Sequence, residues 1–432
     1  MTGLATAPPP THGHPPRRRG GLLRQRDFRL FWIGQTASSF GSSVTSVALP
    51  LVAVATLEAS TFQVALLTAA TWLPWLLVGL PAGAWVDRLP RRPLMVTCDL
   101  FAAVLFLSVP VAAALGVLTV GQLLVVAFAG GVVHIFFFTA YQVYLPALLA
   151  RPDLPEANAK LQGTESVAHV AGPGAAGLLA QLVGVVNALL VDVASFVGSA
   201  ICLLAIRTRE PRETGVRPAR NLWREITEGV RFTARDPYLR VFALFGALSN
   251  LGLVSYQAIL VVFLVREVGA SPGTVGLVTA GMSVGGVLGA ALTGVLRRRF
   301  GSARALLVGS LGTLPFGLLI PLTGPGPRLG LVVIAGMAIG AGAVSGNVLR
   351  GAFRQAYVPR ELLGRVMVTM QVVNLGPMPL GAVVGGLLGT TLGLRPAMWC
   401  ITGYLALTGL VLLVGPLARR RDLPDRPAPH RG

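Results

Sequence analysis

Read from the N-terminus, the chain alternates between long uncharged apolar stretches and short polar breaks. Segments 30–57, 59–86, 100–150, 241–265, 268–296, 305–327, 329–349, 366–394 and 396–418 contain no Asp, Glu, Lys or Arg. A helix that crosses a bilayer needs about 20 apolar residues. Each run is long enough for one crossing, and 100–150, with a turn at 116–122, is long enough for two. Segments 157–184 and 186–206 add two more, each carrying isolated ionisable residues in an otherwise apolar sequence. The pattern predicts spans at 29–56, 61–86, 93–115, 120–149, 157–184, 186–206, 240–265, 273–296, 304–322, 328–352, 363–389 and 395–417. The fold class that follows is all-α, a polytopic membrane protein of twelve transmembrane helices.

The breaks organise the spans. The longest polar stretch, 207–239, divides the chain into a six-helix bundle at 29–206 and a second at 240–417. Residues 1–28 and 418–432 are expected to be tails, the first disordered. Within the connection, Leu222, Trp223, Ile226, Val230 and Phe232 form an amphipathic run suited to lying along a membrane surface. The halves also echo each other. Gly83 and Gly294 each open a basic turn after the second span of a half, and spans 5 and 11 carry Gly172-Pro173 and Gly376-Pro377 in mid-helix, followed by Gly177 and Gly386. A proline in a span frees a backbone carbonyl, which is tolerated only where neighbours or water satisfy it. Its reuse at equivalent places predicts two pseudo-symmetric bundles, the mark of transporters built from repeats.

Charge then fixes the orientation. The net charge of +19 raises the question of nucleic acid, but only 12% of residues are charged, about half the soluble norm. With both termini inside, 32 of the 36 basic residues fall on the inner side, nine of them between 207 and 240. Only Arg266, Arg328 and Arg395 fall outside, and Lys160 lies within a span. The basicity is therefore positive-inside topology and implies no nucleic-acid partner. The expected location is the cell inner membrane, multi-pass, with cytoplasmic termini. Cys98, Cys202 and Cys400 sit singly in separate spans, and the five histidines do not cluster, so no metal or disulfide is expected. No Gly-Lys-Ser/Thr phosphate loop exists, since the one lysine precedes Leu161. The reading is of a protein that is not an enzyme, needs no cofactor and acts as a monomer.

Ionisable groups inside spans are costly and mark function by default. Gln162, Glu165 and His169 lie at i, i+3 and i+7 on one stripe of span 5, making Glu165 the first candidate proton carrier, with His169 beside it. Asp192, near the outer end of span 6, is the second, and Asp99 is expected to pair with loop arginines.

The sharpest motif is Gly83-x-x-x-Asp87-Arg88-x-Pro90-Arg91-Arg92, on the inner turn between spans 2 and 3. This turn resembles the signature loop of the major facilitator superfamily, with Pro90 where that pattern has glycine. The resemblance implies a cytoplasmic gate formed by Gly83, Asp87, Arg88, Arg91 and Arg92, with Arg365 of span 11 as the partner of Asp87. The second-half echo has Arg298 in place of the acid, so the latch is expected on one side only. Gly172, Pro173 and Gly177 resemble the antiporter motif of drug exporters in the same superfamily, and the chain looks like the branch that contains the enterobactin exporter and macrolide-efflux proteins. The arginine usual in span 4 of proton-coupled relatives is absent.

By the same resemblance, spans 1, 4, 7 and 10 line a central cavity. They offer Gln35, then His134, Phe138 and Tyr141, then Asn250, Tyr256 and Gln257, and finally Asn347 and Arg350. The aromatic weight of span 4 suits a bulky, partly apolar ligand. The function implied is export of a small hydrophobic or amphipathic molecule, a drug, antibiotic or siderophore, against inward protons. A nutrient or metabolite importer of the same fold is the alternative. A lipid scramblase, a membrane enzyme and a non-transporting sensor are the more distant ones.

Overall fold

The computed structural model describes residues 21–86, 88–208 and 222–424, and among them all regular structure is helical. Span 1 runs over Arg26–Thr56, span 3 over Arg91–Ala114, span 4 over Val120–Leu148, span 7 over Pro237–Glu267 and span 8 over Pro272–Phe300. Span 9 covers Ser302–Leu322, span 10 Gly326–Tyr357, span 11 Glu361–Thr391 and span 12 Leu394–Val414. These nine are long and apolar enough to cross a membrane by themselves. Span 2, Thr61–Leu77, is extended by Gly79–Val86. Span 5, Leu154–Leu182, has the length but carries the polar stripe, and span 6, Leu189–Ala205, is apolar but shorter. Helix begins at Arg26, ahead of the expected 29, because Leu22 is already buried in a preceding 3-10 turn.

The ends of the spans follow from their sequences. Ser60 and Gln63 form a reciprocal capping box at the start of span 2, which satisfies two otherwise orphaned donors. Thr119, Asp236 and Ser271 cap spans 4, 7 and 8 through side-chain oxygens. Between spans 8 and 9 the chain reverses at Gly301 with φ 85°, a left-handed conformation open to glycine. The C-terminal segment closes on this turn, with Asp422 accepting from the Ser302 backbone N–H at 2.8 Å.

The repeat is visible in backbone detail. Spans 1 and 7 both end in a single π turn, Val52–Thr56 and Phe263–Glu267. The bonds that close the two turns match pairwise: Leu57 to Val52 and Ala59 to Ala53 in the first half, Val268 to Phe263 and Ala270 to Leu264 in the second. The capping serines Ser60 and Ser271 stand at the same relative place.

Small residues set the helix contacts, as expected where packing replaces the hydrophobic drive. Gly285 and Gly289 of span 8 lie against the backbone of Met337 and Ala341 in span 10, and Gly381 and Gly385 of span 11 against the backbone of Leu251 and Ser255 in span 7. Large apolar side chains point outward, with Leu182 72% and Leu277 71% exposed. Leaving a leucine side chain in water forgoes about 1.5–3 kcal/mol, so this belt is stable only against lipid.

The halves meet on the side away from the arginine-rich turns. There Gly177 of span 5 packs on Gly276 of span 8, so closely that a Cβ on Gly276 would lie 2.6 Å from the Gly177 Cα and from the Pro173 carbonyl oxygen. Gly386 packs on Phe62 and Ala65, Gln181 donates to Ser271 at 3.3 Å, and Arg266 donates to the Ala59 carbonyl at 2.7 Å. Toward the basic side the inner half of span 5 stands exposed at Gln162, Glu165, Ser166 and His169. The bundle pair is closed on one side and open on the basic side.

Candidate functional site

The opening is walled on the first half by an aromatic ladder. Tyr141 stacks on Phe138 at 6.5 Å between ring centroids and Phe138 on His134 at 6.1 Å, while Phe31 of span 1, buried in the core, backs Tyr141 at 5.6 Å. Trp75 of span 2 meets the edges of His134 at 6.4 Å and Phe138 at 5.9 Å. The i, i+4, i+7 spacing on span 4 puts the three rings on one face, so the sequence expectation for His134, Phe138 and Tyr141 describes one continuous surface. Trp75 and Phe31 were not foreseen. Their signal was weak, because hydropathy does not separate a ring aimed at a neighbouring ring from one aimed at lipid.

Beside this wall lies the polar stripe of span 5. The Gln162 Nε2 donates to the Glu165 carboxylate at 3.1 Å, and the His169 Nε2 lies 3.9 Å from its other oxygen. Glu165 and His169 remain 49% and 68% exposed in their side chains. The Glu165 carboxylate also influences His134 and Tyr141 on span 4 electrostatically. Span 5 thus holds an acid and an imidazole side by side, within electrostatic range of an imidazole and a phenol on span 4.

Asp192 belongs elsewhere. Its side chain is buried in the first bundle, 1% exposed, where it accepts from the Thr45 hydroxyl at 2.5 Å and from Ser195 at 3.1 Å. Gly41 allows this, since a Cβ there would collide with Asp192 and Ser195. Asp99 is likewise buried, beside Ser199 of span 6, and its Oδ2 has no hydrogen-bond partner. The expected pairing of Asp99 with a loop arginine does not form at Arg92. Instead the Arg92 guanidinium donates to the Leu203 and Leu204 carbonyls at 2.8 and 2.6 Å. A cation on the last carbonyls of span 6 satisfies orphaned acceptors and opposes the helix dipole.

The rest of the gate motif is distributed along the basic face. Asp87 lies outside the described residues. Open space surrounds Gly83, and Arg88 is exposed in the turn, its N–H on the Trp85 carbonyl. Arg91 opens span 3. Arg365 forms an ion pair with Glu228 of the connecting helix Leu222–Arg235. That helix rides on span 11, with Gly229 against the Arg365 backbone and the Thr369 hydroxyl. Glu228 was not anticipated as a partner.

The second half contributes unevenly. The Arg350 guanidinium donates to the Gly346 carbonyl at 3.1 Å and to the Asn347 side chain at 2.8 Å, and lies 4.9 Å above the Phe245 ring of span 7. Asn347 and Gln257 are exposed. Tyr256 is buried in the core, and the Asn250 amide is engaged on the Asn374 carbonyl at 2.9 Å. Gln35 of span 1 is half-buried with an unbonded Nε2.

The two Gly-Pro bends differ. Span 11 is interrupted at a single residue, Gly376, whose torsions of φ −54° and ψ −42° stay helical, whereas span 5 continues through Gly172-Pro173 as one helix. On either side of Gly376 the Asn250 amide donates to the Asn374 carbonyl at 2.9 Å and the Ser255 hydroxyl to the Gly381 carbonyl at 2.7 Å. In span 5 Gly172 packs against Ser43 of span 1 instead. Among the described residues no group of three metal-ligating side chains occurs.

Comparison with known proteins agrees with this geometry. The family described as transmembrane secretion effector matches residues 21–428. The multidrug efflux pump Tap of Mycolicibacterium fortuitum is 29% identical over 95% of this chain and 99% of that protein. Macrolide efflux protein A of Streptococcus pyogenes is 23% identical over 85% of this chain and 90% of its own length. The enterobactin exporter EntS of Salmonella typhimurium is 26% identical over 92% and 94%. In fold, a nucleoside transporter, NupG, superposes with a TM-score of 0.76 over 90% of this chain and 99% of its own, at 12% identity. An inward-facing bacterial homologue of the lysosomal transporter Spinster gives 0.70 over 93% and 98%, at 16% identity.

Proposed function

The chain belongs to the transmembrane secretion effector family of the major facilitator superfamily, and on that footing we propose that it exports a small hydrophobic or amphipathic molecule by alternating access. The observation that carries the reading is the exposed aromatic ladder beside Glu165 and His169, open toward the basic face. By the positive-inside rule that face is cytoplasmic. The termini then lie inside the cell, in the cytoplasmic membrane, and the halves are 29–206 and 240–417, joined by the 207–239 connection. Substrate enters from the cytoplasm or inner leaflet and stacks on Phe138, His134 and Trp75, where apolar area and ring contacts supply affinity with few directional demands.

Release requires the opposite opening. The Gly177–Gly276 contact separates, the inner ends converge, and Arg365 leaves Glu228 for Asp87 as the cytoplasmic latch. Protons entering from outside drive the cycle through Glu165, with His169 as its immediate exchange partner. Protonation removes the carboxylate charge and weakens its hold on Gln162 and His169. Asp192, sealed between spans 1 and 6, is the weaker coupling candidate, because its oxygens are already engaged by hydroxyls. The protein acts as a monomer, without cofactor, and catalyses no covalent chemistry.

The test is expression in a bacterial host stripped of its own exporters, challenged with a panel of macrolides, tetracyclines, dyes and catecholate siderophores. Raised resistance or secretion for at least one amphipathic compound is expected, lost in Glu165→Gln. Accumulation of a compound in the expressing cells above the empty-vector level would instead establish import.

A further inference from the structure

Arg350 has an unusual posture for a basic residue in a span. A long cationic side chain near the inner end of a transmembrane helix ordinarily reaches out toward the interface. This one turns the other way. Its Nη2 lies 3.6 Å from where a Gly346 Cβ would sit, one turn deeper into the membrane than its own Cα. Gly346 is eleven residues from Tyr357, so by helical rise the guanidinium sits roughly 16 Å from the inner end of the helix that carries span 10. The Gly346 carbonyl, the Asn347 side-chain oxygen and the face of Phe245 hold it there.

No carboxylate pairs with Arg350 among the described residues, and the nearest charge, Arg354 one turn below, has the same sign. Two like charges at i, i+4 repel, and an uncompensated cation at this depth is costly. The contacts Arg350 has made use neutral acceptors and leave its charge unneutralised. Arg350 is half-buried, with Asn347 beside it exposed. A guanidinium facing lipid tails would escape to the interface, so the exposed part faces the opening between the halves.

We propose that Arg350, oriented by Asn347 and Phe245 and with the like charge of Arg354 one turn below, is a recognition site for an anionic group of the transported molecule, a carboxylate, sulfonate or ionised phenol. The proposal rests on the transport reading above and narrows it: the favoured substrate is an amphiphile with an aromatic body for the first-half ladder and an acidic group for the second half. Guanidinium suits this role because it stays charged and offers forked donors to a planar anion.

The experiment compares 8-anilinonaphthalene-1-sulfonate with N-phenyl-1-naphthylamine, which share the arylamine body and differ by the sulfonate. Binding is measured on the purified full chain in nanodiscs, with empty nanodiscs subtracted, for wild type, Arg350→Gln and Arg350→Lys, in chloride and in gluconate. Monodispersity and melting temperature confirm that each variant is folded. Arg350→Gln is expected to weaken the sulfonate by roughly ten-fold or more, the scale of a lost charge-assisted bond, and to change the neutral probe by less than about three-fold; Arg350→Lys is expected to recover part of the loss. Equal effects on both probes, no effect on either, or a dependence on chloride that ignores probe charge would overturn the proposal. Because binding is read without flux, a chain that binds the sulfonate through Arg350 but moves nothing refutes transport and leaves this site standing. Efflux by the wild type in cells, with Arg350→Gln binding both probes as the wild type does, leaves transport standing and refutes this site.

Discussion

Replacing Gly276 by alanine places one methyl group at the seam that closes the protein on its outer side. That carbon would sit 2.6 Å from the Gly177 Cα and the Pro173 carbonyl oxygen, both backbone atoms that no rotamer change can move. Ordinary carbon contacts lie at about 3.5–4.0 Å, so spans 5 and 8 must part by roughly 1 Å. Overpacking of this kind costs about 1–3 kcal/mol. The contact exists only when the outer side is closed, so the cost falls on that state and shifts the two-state equilibrium away from it by roughly 5- to 150-fold. Spin labels at Leu182 and Leu277, both exposed on the seam helices, in a chain with Cys98, Cys202 and Cys400 replaced, report the separation by electron–electron resonance. The Gly276→Ala distribution should move to longer distances, while Gly294→Ala, where a Cβ meets nothing within 4 Å, should match the parent. Identical distributions for Gly276→Ala and parent, in well-folded protein, would refute the seam as the outer closure.

Other consequences are more local. Glu165→Gln should abolish efflux driven by a pH gradient yet leave substrate counterflow near the parental rate, measured in proteoliposomes; unchanged driven efflux would move coupling to another group. Asp192→Ala removes the acceptor of the Thr45 and Ser195 hydroxyls in a dry interior and should lower stability by about 1–3 kcal/mol, seen as a fall in melting temperature, with Asp192→Asn intermediate. Trp75→Ala and Phe138→Ala each remove ring contacts of about 0.5–1.5 kcal/mol and should raise KM for aromatic substrates roughly 2- to 12-fold with little change in maximal rate. A charge swap, Glu228→Arg with Arg365→Glu, should restore the melting temperature lost in either single variant if the pair anchors the connecting helix to span 11, but not transport, which needs a cation at 365 to meet Asp87.

Much of the fold was legible because lipid imposes a strong constraint. Uncharged runs and arginine placement locate segments such as Val120–Leu148 to within a residue, and the echo of Gly83 in Gly294 announces a repeat that the paired π turns bear out. Side-chain direction was much less legible. The same Gly-Pro pair interrupts span 11 at Gly376 and leaves span 5 continuous, a difference that the two local sequences do not announce. Asn250, placed in the cavity by the resemblance that puts span 7 there, donates to the Asn374 carbonyl, a contact that no sequence pattern announces. The periodicity of His134, Phe138 and Tyr141 found one wall of the site, but Trp75 joins it from another span. Arg365 was marked as a gate residue from its position, whereas Glu228 could be found only once the connecting helix was seen lying on span 11.

The account turns on direction: if the arginine-rich side is cytoplasmic, as the positive-inside rule predicts, an opening on that side should load there and discharge outward. Inverted membrane vesicles, which expose that side to the medium, test this with any compound that scores in the resistance screen. Acidifying the vesicle interior should drive accumulation of the compound, and both collapse of the gradient and Glu165→Gln should prevent it. Gradient-driven depletion from the same vesicles, with accumulation only in right-side-out ones, would contradict export.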